Sequence, residues 1–115
     1  AAPFIRRRRT LASQVAEAAT WVAAQGGRDI TSDIATLQLA QAARVLDRWI
    51  DFWVPFLEAA RERGEVRGDL DARQAGEWIM RMIISLVTIP SVTVDLHDRD
   101  QVRRYVTDHI VNGFQ

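Results

Sequence analysis

The sequence of 115 residues contains no cysteine, no lysine and no excess of charge of either sign. Without cysteine the chain has no disulfides, no thiolate zinc ligands and no cysteine nucleophile. Its fifteen arginines balance fifteen acidic side chains, so its overall field does not favour the phosphate backbone of a nucleic acid. Three prolines and six glycines are too few for a flexible linker. We therefore expect one domain over residues 1–115.

The sequence also contains no pattern typical of a transmembrane helix or a secretory signal peptide. Hydrophobic residues make up 48% of the chain, which is enough to build a core. The most apolar run, from Trp78 to Pro90, is too short to span a bilayer and contains Arg81. At the start of the chain five apolar residues precede four arginines, the reverse of the order in a secretory signal peptide. The sequence therefore predicts a cytoplasmic protein with no membrane partner.

Apolar residues recur at helical spacing along nearly the whole chain, and no strand pattern competes. We expect an all-α fold, an orthogonal or antiparallel bundle of about four to six helices. The predicted segments are one helix or two short ones over 3–25, a long helix from about 29–33 to Gly64, a third over 72–90, and a last one closing at Gly113. Asp71 with Gln74, and Asp98 with Gln101, have the spacing of helix-capping boxes.

The third predicted helix is apolar on too many sides for a surface helix. Its polar residues form one narrow stripe, and the last helix has a second apolar face. Two adjacent helices with spare apolar faces suit a twofold dimer interface. The predicted interface comprises Met80, Ile83, Ile84 and Val87 on the third helix, and Val102, Tyr105, Val106, His109 and Ile110 on the last. The alternative is that the third helix is the buried centre of a monomer.

The run from Phe56 to Asp71, with its A-x-x-x-G-E-hydrophobic-R-x-D-hydrophobic-D pattern, resembles the middle of the C-terminal domain of TetR-family transcriptional regulators. The A-x-x-W-I-x-R-x-I-x-S-L pattern that follows, and a final helix closing on residues 112–114, fit the last two helices of that family. The resemblance covers residues 35–115 well and the first 30 loosely.

The resemblance implies an all-helical domain that dimerises through its last two helices and encloses a small-molecule pocket beside the long helix. Ligand in that pocket would shift two DNA-reading heads and release an operator. Nothing before Ala35 has room for the family's helix-turn-helix domain. We therefore expect DNA contact only through that missing N-terminal domain, because sequence reading needs a helix in the major groove.

Large rings and flexible methionines are the side chains that apolar ligand pockets favour. The candidate ligand-binding residues are Trp21, Trp49, Phe52, Trp53, Phe56, Trp78 and Met82. An ordinary packed core explains the same spacing, and the function would then be that of a ligand-free helical dimerisation module. Arg81 or Glu77 could anchor a polar group of the ligand, although their i, i+4 spacing suits a surface ion pair equally well.

Other groups of polar residues give only weak indications of a metal, phosphate or catalytic site. Asp95, His97, Asp98 and Asp100 lack the glycine and closing glutamate of a calcium loop, and one histidine makes a weak zinc site. The run 6–9 is four arginines that point in different directions on a helix, so it predicts a solvated face. No nucleophile–histidine–carboxylate set, glycine-rich phosphate loop or paired glutamates appear. We therefore expect no enzyme activity, no metal site and no cofactor.

Overall fold

The computed structural model describes residues 9–24, 39–89 and 91–115. These residues form four α-helices and one short 3-10 helix, and they contain no strand. The elements are α1 (Leu11–Ala24), α2 (Leu39–Glu62), α3 (Ala72–Thr88), α4 (Arg99–His109) and the 3-10 helix Val111–Phe114. The prediction of a small all-α bundle is confirmed. The predicted junction between the first two helices, at residues 26–33, lies outside the described residues.

The ends of the helices follow the capping chemistry of the sequence. Gly64 has a φ of 76°, which favours glycine, and its N–H donates to the carbonyl of Arg61 while the next N–H reaches back to Ala60. At the start of α3 the Asp71 carboxylate accepts a hydrogen bond from the N–H of Gln74 at 3.0 Å. The predicted stop at Gly64 and the predicted start at Asp71 are both confirmed.

Helices α2 and α3 form a closely packed antiparallel pair. Trp53 of α2 is completely buried, and its indole N–H donates to the sulfur of Met80 at 3.1 Å. Gly76 of α3 leaves so little space that an added Cβ would lie 3.3 Å from the Cβ of Trp53. At the first turn of α3, Arg73 binds the carboxylates of Asp47 and Asp51. Gly76 therefore lets the two helix backbones approach over the Trp53 ring.

Helices α1 and α4 form a second pair, also antiparallel. Residues near the start of α1 line a cavity together with Thr107 and Val111, whereas Trp21, near its end, lines another cavity together with Arg99. The buried faces of both helices join the core around Trp53 and Leu57. No helix within the described ranges is long and apolar enough to cross a membrane.

The turn between α2 and α3 holds both ends of the described chain. The N–H of Leu11 donates to the Glu65 carboxylate at 3.3 Å, and Arg63 donates to the carbonyl of Arg9 at 3.1 Å. Arg67 binds the other end, because its N–H donates to the carbonyl of Phe114 at 2.8 Å. This turn therefore connects the start of α1 to the 3-10 helix.

The close approach at Gly76 gives a stability prediction. Gly76→Val should lower the free energy of unfolding by about 1–3 kcal/mol, because its methyl groups must displace Trp53 or the backbone of Ile50. Urea unfolding followed by circular dichroism measures this change. The control is Gly68→Val, since a Cβ at Gly68 meets no atom within 4 Å. An equal loss in both variants would contradict the close packing.

Candidate functional site

Four of the predicted ligand-binding residues form one aromatic cluster on α2. The ring centroids of Phe52 lie 5.7 Å from Trp49, 5.4 Å from Trp53 and 5.3 Å from Phe56. Trp53 and Phe56 are buried in the core, and Trp49 and Phe52 are half-buried against it. The cluster is therefore a packed layer in which the rings fill space between the helices.

The other three predicted ligand-binding residues lie apart from the α2 cluster. Trp21 lines a groove between α1 and α4. Trp78 is 46% exposed, while Met82 is half-buried and packs against the core. The predicted set thus occupies several places, and whether any member contacts a ligand stays a prediction.

The predicted dimer interface divides between core and surface. Five of its side chains are already buried within the single chain: Met80, Ile83, Val102, Val106 and Ile110. Ile84 and Tyr105 are half-buried, and His109 is exposed with its ring centroid 5.0 Å from that of Tyr105. The side chain of Val87 falls outside the described part of the structure. Ile84, Tyr105 and His109 are thus the side chains of this set that are accessible to a partner.

A groove with a largely apolar wall lies between the first half of α2 and the second half of α3. Its volume is about 570 Å³, within the range of small-molecule sites. We call it the apolar groove; it is lined by Ala42, Ala43, Leu46, Arg81, Ile84, Ser85, Thr88 and Ile89. Small alanines on α2 face longer aliphatic side chains on α3, and this size difference leaves the space.

The apolar groove is lined by residues other than the predicted aromatic set. Ile84 was expected at a dimer interface and Arg81 as a polar anchor, and both line the groove. Arg81 also donates to the Glu77 carboxylate at 2.9 Å in an exposed i, i+4 pair. The sequence signal that could have indicated this groove is the pair of neighbouring alanines, Ala42 and Ala43, which face the polar stripe of α3. It is weak, because alanine is abundant throughout this chain.

Searches of protein-family models, curated proteins and solved structures find no match to this chain.

The acidic segment before α4 is engaged in local hydrogen bonds. Asp95 accepts from the N–H of His97 at 2.9 Å, and Asp98 accepts from the N–H groups of Asp100 and Gln101. Among the residues that the structure describes, no group of three potential ligands is placed to hold a metal ion. Of the arginine run, Arg9 is exposed and residues 6–8 lie outside the described residues.

Asp98 gives a prediction about acid stability. Its pKa lies below the usual 3.8, first because its carboxylate accepts the backbone N–H of Gln101, and further because of the Gln101 side chain and the Asp100 N–H. A lowered pKa in the folded state means that the ionised carboxylate stabilises the fold above pH 3.8, and that this contribution is lost as the pH falls through the folded pKa.

Asp98→Ala should therefore lower stability at neutral pH and have a smaller effect in acid. Urea unfolding of both proteins at about pH 6 and about pH 2.5 measures the difference. Asp69→Ala is the control, since Asp69 is exposed and makes only a surface ion pair with Arg67. If Asp98→Ala lowers the free energy of unfolding equally at both pH values, stabilisation by the ionised Asp98 carboxylate is ruled out.

Proposed function

We propose that this chain is the regulatory half of a TetR-like transcriptional regulator, which binds a small, mostly apolar effector and forms a homodimer through its last two helices. DNA would be contacted only through a helix-turn-helix domain outside these 115 residues. The observation that carries the proposal is the apolar groove, a volume of about 570 Å³ open between two long helices.

The lining of the apolar groove suits a ligand with an apolar body and few polar groups. Leu46, Ile84 and Ile89 offer aliphatic surface, and burying it against a ligand is favourable. The hydroxyls of Ser85 and Thr88 lie on the same side of the groove and can orient a carbonyl or hydroxyl group. A few fixed polar groups in an apolar wall are what confer specificity on such sites.

The position of the apolar groove explains how a bound ligand would change the arrangement of α2 and α3. The first turns of α3 are held to α2 by Arg73 and by the close approach at Gly76. The groove lies beyond this contact, between the second half of α3 and the first half of α2. A ligand that fills it would favour helix arrangements in which these halves stand apart, which is a population shift of the domain.

A ligand-free dimerisation module is the second candidate, and a specific observation favours it. Trp53 and Phe56, the centre of the predicted aromatic pocket, are buried within the core. Under this alternative two exposed apolar side chains, Trp78 of α3 and Ile89 just after its end, serve only to meet another chain. Binding of an apolar probe in the groove separates the two candidates.

Filling the apolar groove should abolish binding of an apolar probe. Ala43 is exposed and lines the groove, so Ala43→Trp places a large ring inside it. We expect the variant to raise the dissociation constant for Nile red, a neutral fluorescent probe, by at least about tenfold. Fluorescence titration measures this constant.

The matched control is Gln41→Trp, which puts the same ring on an exposed position of α2 that does not line the groove. It should bind Nile red as the parent does. If the parent does not bind the probe, or if both variants bind it equally well, the effector function is wrong and the dimerisation module remains.

A charge on the accessible flank of α4 tests the dimer. Tyr105 is half-buried beside His109, so Tyr105→Arg would place an unpaired charge in the proposed interface. We expect dimerisation to weaken by at least about a hundredfold, measured by sedimentation velocity. Thr107→Arg is the control, because Thr107 is half-buried on the opposite flank of the same helix. If neither variant weakens the dimer, this face is not the interface.

A further inference from the structure

A second groove, between α1 and α4, collects positive charge that the proposed function does not use. Arg9, Glu17 and Trp21 line it on the α1 side, and Arg99 and Arg103 line it on the α4 side. We call it the basic groove; its volume is about 510 Å³. Three guanidinium groups against one carboxylate leave a net positive charge in a concavity large enough for a small molecule.

The arginines of the basic groove are available to a ligand. All three are exposed, and within the described residues none of their guanidinium groups forms an ion pair. Arg99 and Arg103 are spaced i, i+4, so they lie on the same face of α4, where like charges repel. An anion between them would remove this repulsion, and the planar guanidinium binds phosphate or carboxylate oxygens with two N–H groups.

The α1 side of the basic groove adds two requirements on the ligand. Trp21 is half-buried and contributes an aromatic ring, on which a flat ring can stack. One carboxylate oxygen of Glu17, Oε2, is buried and has no hydrogen-bond partner among the residues that the structure describes. Buried oxygens are normally hydrogen-bonded, and because Glu17 lines the groove, rotation of its carboxylate would present this oxygen to an N–H or O–H donor of a ligand.

From these three features together, we propose that the basic groove binds an aromatic organic anion that carries a hydrogen-bond donor. A nucleoside monophosphate has this chemistry: its phosphate matches the arginines, its base the Trp21 ring, and its amino or hydroxyl groups the Glu17 oxygen. The site is distinct from the apolar groove, which lies between α2 and α3 and contains neutral aliphatic and hydroxyl side chains besides Arg81.

Isothermal titration calorimetry of the 115-residue chain with adenosine monophosphate tests the proposal. We expect adenosine, which lacks the anion, and inorganic phosphate, which lacks the ring, each to bind at least about tenfold more weakly. Arg103→Gln should weaken adenosine monophosphate binding by about tenfold or more. Arg104→Gln is the control, because Arg104 is the next residue of α4, is exposed and does not line the groove.

A second variant separates the ring from the charge. Trp21→Leu should weaken adenosine monophosphate but leave the weak binding of inorganic phosphate unchanged. Ala43→Trp, which fills the other groove, should leave adenosine monophosphate binding as it is, so failure at one groove does not imply failure at the other. Circular dichroism spectra that match the parent establish that each variant is folded.

Three results would overturn the proposal. The first is no binding of adenosine monophosphate up to about 1 mM. The second is equal weakening by Arg103→Gln and Arg104→Gln, which would indicate attraction by the surface as a whole. The third is binding of a single-stranded oligonucleotide where the mononucleotide does not bind, which would assign the arginines to a nucleic-acid backbone instead.

Discussion

The contact between Gly76 and Trp53 determines how the rest of this domain is arranged. A glycine inside a helix is less favourable than alanine, so Gly76, in the second turn of α3, needs a tertiary reason. Here it allows α3 to lie directly against α2, with the Trp53 ring enclosed and its N–H on the Met80 sulfur. Beyond this contact, alanines on α2 face larger side chains, and the apolar groove opens. One close approach thus fixes both the core and the nearby open volume.

The two grooves differ in the chemistry of their walls. The apolar groove has aliphatic side chains with two hydroxyls and Arg81, so water there is poorly held and apolar surface gains most from displacing it. The basic groove has three arginines around a tryptophan, so it favours charge together with a ring. If both proposals hold, two unlike small molecules bind this domain, one between α2 and α3 and one between α1 and α4.

Much of the fold could be predicted from local chemistry. Gly64, Asp71 and Asp98 end or begin helices through hydrogen bonds to neighbours within five residues, so their patterns are readable in the sequence. The role of α3 is harder to predict from the sequence, because a helix that is apolar on two sides can be buried by its own chain or by another. Met80 and Ile83 are buried by the chain itself, whereas Trp78 is 46% exposed. The grooves depend on which helices lie side by side, and helical spacing carries no information about that.

The turn between α2 and α3 has a consequence for the order of folding. Each helix can form from contacts a few residues apart, but the bond from Leu11 to Glu65 spans 54 positions, and that from Arg67 to Gly113 spans 46. Closing such long loops costs chain entropy before any contact compensates for it. We therefore expect the α2–α3 hairpin to form before α1 and the 3-10 helix dock on it. On this order, residues 9–11 and the 3-10 helix dock late in folding.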